Sequence, residues 1–251
     1  VGSEMCIRDR YMVTYFISSS ANGLYTAASK IPNFVILFSQ IFIDAWQLSA
    51  VDEYDQEGGR QFFTKVFRVY SGGIFAVASV LILLCQFITK ILVAKSYYDS
   101  WQFVPILIIA TTYSCIVNFL ASIYMAEKKN VMSLVTAMSG AITNFVLNLV
   151  FIPRIGANGA ALATVCAFLV VFVTRAIDTR RFIKIDFKLP VLLGETAVLV
   201  TQSIILLKYD GALWVYIIEV LLVVVMLLLN LKPIKELVNL ILAKFLKKRK
   251  N

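Results

Sequence analysis

Charge and hydrophobicity are sharply segregated along this chain. Seven apolar spans together cover 152 of the 251 residues and hold only 4 of the 39 charged side chains. The other 99 residues hold the remaining 35. Because a membrane-spanning helix needs about 20 mostly apolar residues, this pattern excludes a water-soluble globular domain. It predicts an all-α, polytopic membrane protein.

The predicted protein has seven full spans and one partial span. Residues 11–17 form the end of the partial span. The full spans are predicted at 24–48, 69–89, 101–125, 131–152, 156–174, 189–207 and 211–231. The last 20 residues, 232–251, are rich in Lys and Arg and carry apolar side chains at helical spacing, which predicts an amphipathic tail at the membrane surface.

The first ten residues, VGSEMCIRDR, match at every position the translation of a transposase-based sequencing adapter. Segments of this kind are set aside before the fold is considered. We therefore expect 1–10 to be non-native, 11–231 to be a transmembrane helical lobe, and the chain to be the C-terminal part of a longer protein.

The distribution of Lys and Arg predicts the orientation. The loops at 52–68, 126–130 and 175–188, together with the tail, hold 17 of these residues, whereas the connections on the other side hold 4. Positively charged loops stay in the cytoplasm, so the first set and the C-terminus are predicted to be cytoplasmic. The net charge of +9 then reflects topology. No loop is long enough to build a basic face for nucleic acid.

Two residue types limit the chemistry. The chain has no His, which removes Ser-His-Asp catalysis and His metal ligands. Its four cysteines lie far apart, without metal-site spacing. We therefore predict no catalytic residues, no metal site and no cofactor. The cysteines are Cys6, Cys85, Cys115 and Cys166.

One polar stripe stands out, in the span at 24–48. Its members share one face of a helix and are Lys30, Asn33, Gln40, Asp44 and Gln47. A lone charge in a span costs about 2.5–3.5 kcal/mol on insertion scales and usually faces a polar interior. Lys30, Asn33, Gln40 and Asp44 are therefore candidate substrate-binding residues, and Pro32 is expected to break the helix. The alternative is that Lys30 snorkels to the outer interface while Asp44 lies near the inner one.

Weaker polar positions occur in later spans. Asn118, Asn144 and Asn148 are candidate cavity-lining residues, although interhelical hydrogen bonds explain them equally well. Glu195 and Glu219 are single carboxylates for which pairing with a neighbouring helix is favoured over a role in ion coupling.

Three strings resemble a known family: NGLYTAASKIP at 22–32, DAWQLSAVDEYD at 44–55 and IPRIGANGAALAT at 152–164. They are similar to the polysaccharide-transporter branch of the MOP exporter superfamily, the Wzx-type flippases of lipid-linked oligosaccharides. The similarity extends over about 11–231. It implies the second lobe of a two-lobe flippase, in which the lobes surround a central cavity and open alternately to the two membrane faces.

The resemblance also implies a substrate and a place. The substrate is an undecaprenyl-diphosphate-linked oligosaccharide repeat unit, moved across the bacterial cytoplasmic membrane for export of surface polysaccharide. Lys30 is the position that matches a cavity cation meeting the diphosphate. The expected partners are this lipid-linked oligosaccharide and the membrane lipids.

Two other classes of function stay open. A drug or cation antiporter of the same superfamily would want an anionic cavity, without a cation at the position of Lys30. A membrane glycan polymerase or ligase would need an acid–base pair and usually a large outer loop, and the longest outer connection here is about 90–100.

Overall fold

The computed structural model describes the backbone of residues 2–53, 59–209 and 213–231, and side chains from residue 8 onward except at 45–60, 130, 210–212 and 232–251. Its regular structure is helical, with no strand in these ranges. The helices are Gly2–Phe16 (α1), Ser19–Ala28 (α2), Asn33–Glu53 (α3), Gly59–Leu92 (α4), Val104–Ala126 (α5), Asn130–Ile155 (α6), Ala157–Asp178 (α7), Leu189–Lys208 (α8) and Leu213–Leu229 (α9).

These helices confirm the all-α, polytopic membrane class. Five helices of the described chain are long and apolar enough to cross a membrane, and there are six if the bent pair α2 and α3 counts as one span. The seventh predicted span corresponds to α9, an apolar helix of 17 residues that is slightly short for a full crossing. The partial span belongs to α1, which also includes residues 2–10.

Helix α5 is the centre of the packing. Most of its apolar residues are buried, and it contacts α3, α4 and α7. An aromatic cluster connects it to α4, with Phe119 stacked on Tyr70 and Phe67 edge-on to Phe119 at ring-centroid distances of 5.2 and 5.5 Å. Such pairs add about 0.5–1.5 kcal/mol beyond the area they bury, so this face of α5 fixes the position of α4.

Helices α6 and α7 form a tight hairpin. Gly156 turns the chain with φ of +70°, a conformation that glycine adopts without strain. A Cβ at Gly159 would overlap the backbone of Phe151, so only glycine lets the two helices approach this closely. The small residues at the start of α7 therefore serve packing.

Helices α4, α8 and α9 form a second group held by buried polar contacts. Asn230 lies directly over Gly72, where a Cβ would collide with its side chain. Gln202 of α8 donates to Glu219 of α9 at 2.9 Å and accepts from Ser79 of α4 at 2.8 Å. Asn230 also hydrogen-bonds Glu195. The predicted interhelical pairing of both glutamates is thus present.

The two ends of the lobe agree with the predicted loop sets. Arg68 in the first third of α4 pairs with Asp186, and the backbone N–H of Asp186 donates to Thr64 at 3.3 Å. The described parts of the loop segments 52–68 and 175–188 therefore meet at the same end. At the other end, Tyr97 in the 3-10 helix Lys95–Phe103 contacts Gly23 at the start of α2.

Two predicted domain boundaries fall at the chain ends. The tail at 232–251 lies outside the described residues. Residues 2–10 are continuous with 11–16 in α1, so no structural boundary separates the decapeptide from the rest of the helix. The adapter origin of 1–10 stays a prediction.

Candidate functional site

The first candidate site is built on the break between α2 and α3. Residues 29–32 form a turn, and the two helix axes differ by 45°. Pro32 has no N–H to donate, and the Lys30 N–H bonds to the Ala27 carbonyl at 3.3 Å, a tighter closure than that of an α-helix. The Ser29 hydroxyl donates to the Tyr25 carbonyl at 2.9 Å. The break predicted from Pro32 is confirmed.

Beyond the break, α3 has a buried face and an exposed side. The buried positions repeat every four residues and are Ile31, Val35, Ser39 and Ile43. The predicted polar positions Lys30, Asn33, Gln40 and Asp44 are all exposed, and Lys30 lies in the turn before α3. At 100° per residue the centre of Asn33, Gln40 and Asp44 lies about 120° from that of Val35, Ser39 and Ile43. The polar stripe therefore lies on the exposed side of the helix, at an angle to its buried face. Its fifth member, Gln47, has no described side chain.

The orientation of α3 is fixed by a hydrogen-bonded anchor. The Ser39 and Tyr70 hydroxyls lie 2.6 Å apart, and Tyr70 donates to the Cys115 carbonyl at 3.0 Å. This chain joins α3 to α4 and α5. Because a buried, satisfied network holds one face, the polar face is held outward as well.

Charge is separated along the outward face. Lys30 has no ion-pair partner within the part of the chain that the structure describes. Gln40 donates to Asp44 at 2.6 Å, so the carboxylate is oriented by an amide one turn earlier. Asn33 and Asp44 are about 16 Å apart along the axis. A cation near the break and an anion toward the other end of α3 therefore flank amides suited to sugar hydroxyls.

The three predicted asparagines divide between two environments. Asn118 of α5 is exposed, and its cavity-lining role stays a prediction. Asn144 and Asn148 of α6 are fully buried and line no open cavity. They make interhelical hydrogen bonds, which is the second of the two roles that the sequence left open.

The buried asparagines belong to a polar cluster between α1, α6 and α7. At its centre is Asp9, whose carboxylate accepts from Asn148 at 2.7 Å, Asn144 at 3.2 Å, Thr164 at 2.5 Å and Tyr25 at 3.4 Å. The Asn148 carbonyl oxygen has no hydrogen-bond partner in the described chain. Four hydrogen-bond donors therefore satisfy this buried carboxylate.

Sequence reasoning did not find this cluster because Asp9 lies in the decapeptide that was set aside. Its four partners lie outside that segment. Groups of three or more His, Cys, Asp or Glu placed to hold a metal are absent from the described residues.

Sequence reasoning also missed Arg175, which it counted as a loop residue. Arg175 is 1% exposed, in the last turn of α7. Its guanidinium donates to the Val117 carbonyl of α5 at 2.7 Å, to the Thr136 hydroxyl of α6 at 3.0 Å and to the Ser133 carbonyl at 3.1 Å. A planar group with five donors suits such a junction. Arg175 therefore joins three helices and lies away from the outward face of α3.

Comparisons with protein-family models, curated proteins and solved structures gave no match for this chain. The site is therefore interpreted from its own geometry.

Proposed function

We propose that this chain is one lobe of a flippase for lipid-linked oligosaccharides, as the resemblance of its motifs implies. The proposed substrate is an undecaprenyl-diphosphate-linked repeat unit. It would be moved across a bacterial cytoplasmic membrane for export of surface polysaccharide, without chemical change. In this proposal the C-terminus is cytoplasmic, and the outward face of α3 forms one wall of a cavity completed by a second lobe.

The observation that supports the proposal is the polar stripe of α3. Its exposed members include two amides and one cation, Lys30, that has no ion-pair partner among the described residues, and they lie apart from the face that packs into the lobe. A diphosphate cannot cross about 30 Å of hydrocarbon unaided. A polar wall with a Lys at the break offers it a point charge, while the prenyl chain stays in lipid.

The bent span also suits transport. Irregular backbone at membrane depth is tolerated where it lies in protein or lines a water-filled cavity. The turn at 29–32 places Lys30 where the helix is interrupted. The same turn is a place where small backbone rotations would re-aim α2 against α3.

A second candidate function is a cation-coupled antiporter of the same superfamily. The observation that favours it is the buried carboxylate of Asp9 with its four donors. This support requires Asp9 to be native, whereas the sequence predicts that 1–10 is not. The upstream coding DNA decides that point directly.

Reconstitution tests the choice. The full-length protein, completed from the upstream DNA, is placed in proteoliposomes with a fluorescent undecaprenyl-diphosphate-linked oligosaccharide in one leaflet. We expect transfer of the lipid to the other leaflet and no extrusion of an organic cation such as ethidium. Ethidium extrusion without lipid transfer would favour the antiporter. Elongation or cleavage of the glycan would indicate an enzyme.

A further inference from the structure

A cavity of about 1000 Å³ lies at the end of the lobe where α4, α8 and α9 converge. It is separate from the polar stripe of α3. It is lined by the first third of α4, the start of α8 and the last turn of α9. These parts adjoin the loops in which most Lys and Arg residues lie. The residues that matter for its chemistry are Lys65, Arg68, Asp186, Lys188, Glu195 and Asn230.

The mouth of this cavity is basic. Among the lining residues that the structure describes, the cations Lys65, Arg68 and Lys188 lie at the mouth with the carboxylate of Asp186. Asp186 is already engaged: its carboxylate accepts from the Lys188 backbone N–H at 3.1 Å and pairs with Arg68 at 2.5 Å. The Lys188 N–H and the Arg68 cation hold the pKa of Asp186 below its ordinary value despite some opposing desolvation. Cations therefore outnumber carboxylates among the described residues of the mouth.

Two further features suit an anion with several oxygens. The first turn of α8 begins at Leu189, next to Lys188, and brings the partial positive charge of a helix N-terminus to the mouth. The Arg68 Nε is buried and has no acceptor within the described chain. The other carboxyl group of the described lining, that of Glu195, lies about two turns into α8, away from the mouth, and is hydrogen-bonded by Asn230.

The cavity also has an apolar side. Val191, Leu228 and Leu229 line it, and both leucines are exposed on the surface of α9. The charge-free stretch of α4 begins at Val69, so Arg68 and Lys65 lie at the boundary where head groups meet hydrocarbon. The cations thus lie where a phospholipid has its head group, and the apolar side lies where it has its acyl chains.

We propose that this cavity binds the phosphodiester head group of an anionic phospholipid, with its acyl chains lying along α9. The phosphate is held by Lys65, Arg68 and Lys188 at the start of α8. Basic pockets between helices at the cytoplasmic side are known places for anionic head groups. The site does not depend on the proposed transport function. It would hold α9 against α4 and α8 by a lipid bridge.

Native mass spectrometry of the 251-residue chain tests the proposal. Dissociation constants are measured for phosphatidylglycerol and phosphatidylcholine of the same acyl chains, with inorganic phosphate as a competitor. We expect phosphatidylglycerol to bind at least tenfold more tightly than phosphatidylcholine, and phosphate at millimolar concentration not to displace it. Equal binding of the two lipids, or displacement by phosphate alone, would overturn the lipid assignment.

The variant pair is Lys65→Gln with Lys188→Asn. It leaves the Arg68–Asp186 pair in place, and Asn tolerates the left-handed backbone of position 188, where φ is 42°. At about 1 kcal/mol per cation near the surface, affinity for phosphatidylglycerol should fall about 30-fold. The matched control, Arg180→Gln with Arg181→Gln, removes two charges at the same end outside the cavity and should change affinity less than twofold. Equal losses of affinity in both double variants would overturn the site, because they would indicate non-specific electrostatic attraction to this end of the lobe. If the first pair does not fold, Lys188→Asn alone should still lose about fivefold, and no loss would contradict the site.

Discussion

The Arg68 guanidinium and the Asp186 carboxylate lie 2.5 Å apart, although 118 positions separate them in the chain. Arg68 lies in the first third of α4, and Asp186 precedes α8. One contact therefore places two Lys- and Arg-rich segments at the same end of the lobe, as the alternation of spans requires. The contact also shapes the mouth of the basic cavity.

Cysteine labelling in intact cells tests the orientation. The native cysteines are first replaced. Ser96→Cys should then react with an impermeant thiol reagent, because Ser96 is exposed in the segment predicted to lie outside. Arg180→Cys should react only after permeabilisation. Position 179 is a poor probe, since Thr179 is fully buried and donates to the Arg175 carbonyl at 2.7 Å. The reverse labelling pattern would overturn the topology.

Arg175→Ala should destabilise the lobe by at least about 2 kcal/mol, because buried acceptors on α5 and α6 lose a charged donor. In a chain of this size that corresponds to a fall of at least about 4 °C in the thermal unfolding midpoint. Arg175→Lys should recover part of the loss, since an ammonium reaches fewer of these acceptors. The exposed Arg180→Ala is the control and should shift the midpoint by about 1 °C or less. Equal shifts for the Arg175 and Arg180 variants would contradict a stabilising role for the buried contacts of Arg175.

Two adjacent glycines of α4 give a matched pair. Gly72→Ala should cost about 1–3 kcal/mol, because the new Cβ collides with Asn230. Gly73→Ala should be neutral or stabilising by up to about 1 kcal/mol. The new Cβ would lie 3.6 Å from its nearest neighbour, a Phe38 ring carbon, and alanine favours the helix. Thermal unfolding of both variants in detergent measures the difference. A tolerated Gly72→Ala would mean that α9 does not pack on α4 as described.

The sequence predicted those features that depend on hydropathy and on local backbone chemistry. The spans and the break at Pro32 follow from rules that act over a few residues. The shared side of Asn33, Gln40 and Asp44 on α3 was also predictable from helical spacing, whereas Lys30 lies in the turn before the helix.

Features that depend on which helices are neighbours were not predictable. The predicted span ended at 174, before the first charge, so Arg175 was assigned to a loop. Its burial requires acceptors 39 and 58 positions away. The basic cavity joins residues near 65, 188 and 230, which no spacing rule brings together. Asn144 and Asn148 face inward only because α1 and α7 pack beside α6.

The central claim is that the outward face of α3 meets an anionic substrate, and Lys30 tests it most directly. In the full-length protein, variants are compared by complementation of surface polysaccharide in a strain lacking its own flippase, at matched protein level. We expect Lys30→Ala and Lys30→Gln to abolish complementation and Lys30→Arg to retain part of it, because the charge is kept while its shape changes. Lys95→Ala, an exposed cation at the opposite end of the lobe from the basic cavity, should complement fully. Wild-type complementation by Lys30→Ala and Lys30→Gln would contradict the claim and place Lys30 outside the substrate path.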